Sequence, residues 1–250
     1  MSIQFLDTTD HMVHGHEGWL ETKSSHVHEG DSIELAFKWG HNMESHGLAR
    51  KEGLTTFVVL PDGKRQDLRL NGQTEDSYLY DYIPETNGTY HFICQNTGHY
   101  VISREGKHLR GTLQDHPDAP TATFYRQFSH TCLQAGEDQA NNPIAAMPEL
   151  PFSLVPEIWK HWQTGDVLVF SLQKENNKLP DVQIDMAHTN GPGNQVFQKN
   201  FKTDKDGNLR IKIEEPGRYL LIARHRTPEG KPGLYYDTSL TYTFLFCIEK

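Results

Sequence analysis

Short runs in which apolar and polar residues alternate recur along the chain, at residues 32–39, 55–60, 78–82, 89–95, 100–104, 166–172, 182–186, 210–214, 218–224 and 239–248. A period of two places every second side chain on the same face, which is the pattern of a half-buried β-strand. Turn-forming clusters separate the runs: Pro61-Asp62-Gly63, Asn71-Gly72, Asn87-Gly88, Asp206-Gly207 and Pro216-Gly217. Their residue types favour tight reversals between strands. No stretch of about 12 residues or more sustains a 3.6-residue period. The pattern predicts an all-β protein.

A weak internal repeat divides it in two. Gly30-Asp31 precedes the alternating run Ser-Ile-Glu-Leu-Ala-Phe, and Gly165-Asp166 precedes Val-Leu-Val-Phe-Ser-Leu. Later in each half a tyrosine opens a strand directly after a turn, Tyr90 in Asn87-Gly88-Thr89-Tyr90 and Tyr219 in Pro216-Gly217-Arg218-Tyr219. That is the position of the tyrosine corner in immunoglobulin-like sandwiches. The expected organisation is two tandem β-sandwich domains, residues 13–113 and 163–250. Residues 114–162 form a connector, rich in Pro, Asn, Ala and Glu, with some strand near 121–128. Residues 1–12 read as a vector-derived or leader remnant and stand outside the fold.

Composition narrows the function classes. The chain has 250 residues and a formal charge of −9, which opposes a phosphate backbone and argues against nucleic acid as a partner. Its apolar runs fall far short of the roughly 20 residues of a membrane-spanning helix. No basic, then apolar, secretory leader is present as written. Cys94, Cys132 and Cys247 are too scattered for a Cys-x-x-Cys motif or a dense disulfide framework and leave room for at most a single bridge, while Cys94 and Cys247 lie in apolar runs suited to buried thiols.

The anomaly is histidine. There are 15, seven of them between His11 and His46, and imidazole is both the commonest metal ligand and the side chain that titrates near neutrality. His14-Gly-His16 and His26-Val-His28 are i, i+2 pairs whose rings share a side in extended backbone. His41 ends a predicted strand after Trp39-Gly40, and His46 follows in what reads as a loop. These six form the candidate metal set; spacing alone leaves nickel, cobalt, zinc and copper open. His130-Thr-Cys132 is a further soft pair without an assigned role, and Asp204-Lys-Asp206-Gly207 reads as a hairpin turn rather than a calcium loop. None of Gly-x-Ser-x-Gly, Gly-x4-Gly-Lys-Ser/Thr and His-Glu-x-x-His occurs, and the expected role is not enzymatic.

The order of motifs resembles a known family. His14-Gly-His16-Glu17-Gly-Trp19-Leu20-Glu21, Gly30-Asp31, Phe37-Lys-Trp39-Gly40-His41 and Pro61-Asp62-Gly63-Lys64 look like the start of the nickel uptake transporter family. Phe124-Tyr125-Arg126 to Gly136, Gly165-Asp166, Thr203-Asp204-Lys-Asp206-Gly207 and Pro216-Gly217-Arg218-Tyr219 resemble its linker and transthyretin-like carboxy-terminal module. The resemblance implies an exported, periplasmic protein that binds nickel or cobalt near its amino terminus and hands it to membrane transporter components. By position it carries His14, His16 and His41; His26, His28 and His46 rest on spacing alone. The rival reading is a carbohydrate- or protein-recognition module presenting Trp19, Trp39, Tyr78, Tyr80 and Tyr82. A weaker third is a metalloenzyme using Glu17 or Glu44 as acid or base.

Overall fold

The computed structural model describes residues 15–136, 142–143, 150–160, 162–191 and 196–248. The first strands are β1 (Glu17–Thr22), β2 (His26–Val27), β3 (Ile33–His41), β4 (Glu44–Ser45), β5 (Leu54–Val59) and β6 (Arg65–Leu68). There follow β7 (Gly72–Gln73), β8 (Ser77–Tyr82), β9 (Gly88–Ile102), β10 (His108–Arg110) and β11 (Thr121–Ala135). The remainder are β12 (Asn142–Pro143), β13 (Phe152–Pro156), β14 (Ile158–Trp159), β15 (Val167–Lys174), β16 (Asn177–Lys178), β17 (Gln183–Thr189), β18 (Phe197–Lys202), β19 (Asn208–Lys212), β20 (Gly217–Thr227) and β21 (Asp237–Ile248). The protein is all-β, as the alternation predicts, and among the described residues no helix is long and apolar enough to cross a membrane.

A ten-stranded sheet, ordered β18-β17-β20-β21-β11-β9-β5-β6 with β10 beside β9 and β2 beside β11, runs through both halves. Its two faces serve different cores. Tyr90, Phe92 and Cys94 of β9, with Val58 of β5 and Leu133 of β11, pack against Leu35 and Phe37 of β3 and Tyr78 and Tyr80 of β8 in the five-stranded sheet. On the opposite face, Phe128 and Cys132 of β11 join Tyr242, Phe244 and Phe246 of β21. These pack beneath Phe152, Leu154, Phe170 and Ile211 of the four-stranded sheet built from β13, β15, β16 and β19. Alternation along β11 thus feeds odd residues to one sandwich and even residues to the other.

Strand β1 ties the two cores together. Leu20 enters the first core, while Trp19 packs on Ala187, Leu220, Ile222 and Leu245 of the long sheet. Glu17, Gly18, Trp19 and Leu20 are all buried, so β1 has no polar face and shows no alternation. The two predicted runs at 89–95 and 100–104 are one continuous strand, β9. The strand expected near 121–128 continues to Ala135 because β9 on one side and β21 on the other supply hydrogen-bonding partners. Strand β13, framed by Pro151 and Pro156, is hidden in the sequence by those prolines; among the described residues it pairs only with β15, at a sheet edge where proline is tolerated.

None of the three cysteines is in a disulfide: Cys94 and Cys132 are buried, whereas Cys247, expected inside, is half-buried at the end of β21. Both tyrosine corners are present. Tyr90 donates its hydroxyl proton to the Thr86 carbonyl at 2.8 Å, and Tyr219 donates to the Glu215 carbonyl at 2.6 Å. Each bond pins the turn that launches a central strand. Replacing either hydroxyl, Tyr90→Phe or Tyr219→Phe, should lower unfolding free energy by about 1 kcal/mol, read from the urea midpoint at unchanged m-value; no shift in either variant would mean that the corner bonds do not contribute.

Candidate metal site

Strand register places the first site. In the β1–β3 pair, Glu17 stands opposite Gly40, which puts His16 beside His41 just beyond the end of the ladder. In the β3–β4 hairpin Gly40 faces Ser45 and His41 faces Glu44, and the His46 amide donates to the Trp39 carbonyl at 2.9 Å. Trp39, His41 and His46 therefore project from one face. His16 meets them there: its ring stacks on Trp39 at 4.3 Å between centroids and lies 4.2 Å from His41 and 5.1 Å from His46. His16 Nε2 is 3.1 Å from His46 Nδ1, and the ligand atoms of His16, His41 and His46 all fall within 4.8 Å of one another.

The hairpin that carries His46 turns through Asn42 and Met43, both in the left-handed region at φ 50° and 68°. Two positive φ values match the tight reversal that agrees with strand twist, at a steric cost for residues other than glycine. Met43 offsets that cost by packing on the Trp19 cluster, and the Asn42 amide donates to Glu17 Oε1 at 2.6 Å. Gly40 is required by space: a Cβ there would collide with the Glu44 carbonyl oxygen across the hairpin.

Behind the imidazoles lies a buried charge network. The Glu17 carboxylate is 1% exposed and pairs at 2.7 Å with Arg224, which also reaches Asp185 at 3.1 Å. Glu17 Oε2 faces His41 Nδ1 at 3.5 Å, the arrangement in which a carboxylate orients a metal-binding imidazole from its far side. Arg224 donates to the Gly15 carbonyl at 3.2 Å and Gln127 to the His16 carbonyl at 2.6 Å, so the backbone entering β1 is held from two strands. His16 is buried, His41 half-buried and His46 exposed, so the cluster opens to solvent on one side. Burial pushes His16 down to about 3, with His41 and His46 adding to the effect. Its imidazole is the neutral, ligand-ready form at physiological pH.

The structure thus brings together His16, His41 and His46. His14 lies outside the described residues. His26 and His28 form a pair of their own with rings 6.0 Å apart, and His26 Nε2 meets the Gly136 carbonyl at 2.6 Å; neither joins the His16 cluster. Of the aromatic residues of the recognition reading, Trp19, Trp39, Tyr78 and Tyr80 are buried, and Tyr82 is half-buried against the core that holds Trp39, Tyr78 and Tyr80. A second group, His91, His130 and Cys132, is buried within the long sheet. Sequence held the His130-Thr-Cys132 half of it, but His91 joins only through the pairing of β9 with β11.

Residues 13–227 match a family described as a domain of unknown function (DUF4198). The chain belongs to that family. No curated protein matches this DUF4198 chain. Solved structures that align with it include a DUF4785 family protein from Legionella pneumophila, at 12% identity over 82% of this chain and 51% of that one, TM-score 0.30. Escherichia coli alpha-2-macroglobulin activated by porcine elastase aligns at 9% identity over 94% and 20%, TM-score 0.30. A two-domain fibronectin type-III segment from chicken tenascin aligns at 11% over 89% and 95%, TM-score 0.21. The DUF4198 chain spans about half the length of the first of these.

Two expectations follow for the DUF4198 chain. Gly40→Ala should destabilise it by about 1–3 kcal/mol through overpacking and displace the His46 hairpin; unchanged stability by urea titration would contradict the close approach. Burial also lowers His91, to about 4, and holds His130 well below the ordinary value. Above about pH 6.5 these two and His16 are neutral folded and unfolded alike, but on acidification only the unfolded chain takes up their protons. Metal-free protein should therefore lose stability as pH falls from 6.5 towards 4, with net proton uptake on unfolding in that range. Urea titrations at pH 7.5, 6 and 5 measure the slope; a flat profile would place these rings in solvent.

Proposed function

We propose that this protein binds a divalent transition metal, nickel or cobalt, through His16, His41 and His46, with His14 as a further ligand from the amino-terminal segment. It works outside the cytoplasm, without catalytic turnover, and delivers the ion to a membrane transporter. The observation that carries the reading is the convergence of three imidazoles on one face of the β1–β3–β4 edge, with His16 held neutral. An all-nitrogen donor set suits nickel, copper and zinc better than hard cations. One solvent-facing side and fewer ligands than an octahedral ion takes suit a cargo that must be released, where a closed cage would suit a permanent structural ion. The choice of nickel or cobalt, and the transport role, rest on the sequence resemblance to the nickel uptake transporter family.

Competitive titration with nickel, cobalt, zinc and copper at pH 7.5 tests the reading, comparing the parent protein with His16→Ala/His41→Ala/His46→Ala. We expect one equivalent of nickel or cobalt in the parent and none in the triple variant. Affinity should fall as pH drops through about 6.5, because protons compete for imidazole nitrogen. Binding weaker than about 10 μM, roughly −7 kcal/mol, or equal nickel affinity at pH 5 and pH 7.5, would sink it. The recognition reading keeps one supporting feature, a cleft of about 570 Å³ whose lining includes Trp39, Arg50, Asn96, His99, Arg110 and Tyr125. It requires metal-independent ligand binding that survives the triple substitution.

A further inference from the structure

The antiparallel register of β9 and β11 sets His91 directly opposite Cys132. His130, two residues before Cys132, points to the same face of the sheet. The three side chains close on one another: His91 Nδ1 lies 3.2 Å from His130 Nε2, while Cys132 Sγ lies 2.9 Å from His91 Nδ1 and 3.2 Å from His130 Nε2. All three are 5% exposed or less. Cys132 belongs to the apolar core that includes Phe128, Phe244 and Phe246, and the His130 ring packs on Phe244 at 4.7 Å.

The number of protons available inside this triangle depends on the tautomer of His130. The Tyr242 hydroxyl stands 2.6 Å from His130 Nδ1; when it accepts the Nδ1–H, the Nε2 lone pair faces into the triangle. The thiol proton and at most one proton on His91 then remain to be shared among three contacts. A cation at the centre engages all three atoms as acceptors, with Tyr242 fixing the His130 tautomer from behind, as the outer partners of metal-bound imidazoles do. The centre lies about 1.8 Å from each corner, a few tenths of an ångström inside metal–nitrogen and metal–sulfur bonds of about 2.0 and 2.3 Å. A slight outward rotation of the side chains closes that gap.

We propose that His91, His130 and Cys132 form a second metal site, separate from the His16 cluster, that takes a single Cu(I) ion in three-coordinate N2S geometry. Thiolate with imidazole selects soft d10 cations, Cu(I) or Zn(II). Two features decide for copper. Among the described residues no fourth His, Cys, Asp or Glu completes the tetrahedron that zinc takes in structural sites. A thiolate and a monovalent ion also sum to zero charge in this apolar core, whereas Zn(II) leaves a net positive charge without a partner. On binding, the S–H bond gives way to an S–Cu bond and the thiol proton leaves to solvent, with no change of oxidation state. Because the site is closed, loading accompanies folding or a local opening of the β9–β11 pair.

The test uses the full chain carrying His16→Ala/His41→Ala/His46→Ala, so that the outcome is independent of the function proposed above. It is refolded anaerobically under reducing conditions with Cu(I) or with Zn(II), then challenged with a Cu(I) chelator. We expect one equivalent of Cu(I) retained, with X-ray absorption reporting one sulfur and two nitrogen neighbours, and retention abolished by adding Cys132→Ser. Tyr242→Phe, which keeps every ligand, should weaken retention about tenfold and keeps the proposal testable where Cys132→Ser does not fold. Absence of retained copper, copper held equally by folded Cys132→Ser, a copper neighbour shell without sulfur, or preference for Zn(II) over Cu(I) would each overturn it.

Discussion

The parallel pairing of β11 with β21 is the constraint on which the molecule depends. Nine register pairs, from Thr123 opposite Asp237 to Thr131 opposite Leu245, join strands far apart in the chain into one sheet. Without this seam the two halves would each end in an exposed sheet edge, with a row of unpaired amides and carbonyls. With it, β11 becomes a buried central strand whose two faces serve two cores. The same seam places Tyr242 diagonally across from His130, since Phe128 is its direct partner.

The two polar clusters sit at opposite extremes of environment for a common reason. Each is built by cross-strand register from alternate residues, but the strands occupy different places in the sheets. His16, His41 and His46 belong to the ends of β1, β3 and β4, where pairing stops and solvent reaches one side. His91, His130 and Cys132 lie within the paired stretch of β9 and β11, covered by the aromatic residues of the second core. The first cluster is therefore open to solvent on one side and the second is closed from it.

Glu17 and Arg224 couple the first cluster to the rest of the fold. A carboxylate 1% exposed needs a partner, and Arg224 on β20 supplies it while also holding the Gly15 carbonyl. Leaving either charge alone at such depth would cost several kcal/mol. The start of β1 is therefore docked on the second half of the chain although its hydrogen-bonded strand neighbour is β3 in the first. The His16 site is a property of the whole molecule rather than of its amino-terminal sandwich.

By itself the sequence determined the all-β character, most strand positions, both tyrosine corners and the concentration of histidine near the amino terminus, because each depends on local spacing or on a turn a few residues long. It also contained His16, His41, His46 and the His130-Thr-Cys132 pair as candidates. What only the tertiary structure decided was which candidates meet. Register between strands is set by burial of entire faces, so nothing local to His91 marks it as the partner of Cys132, and nothing local to His26 separates it from His16. Strands buried on both sides, such as β1, carry no alternation to read. The long sheet through both halves likewise rests on contacts between residues more than a hundred positions apart, where hydrogen-bond geometry decides and sequence period is silent.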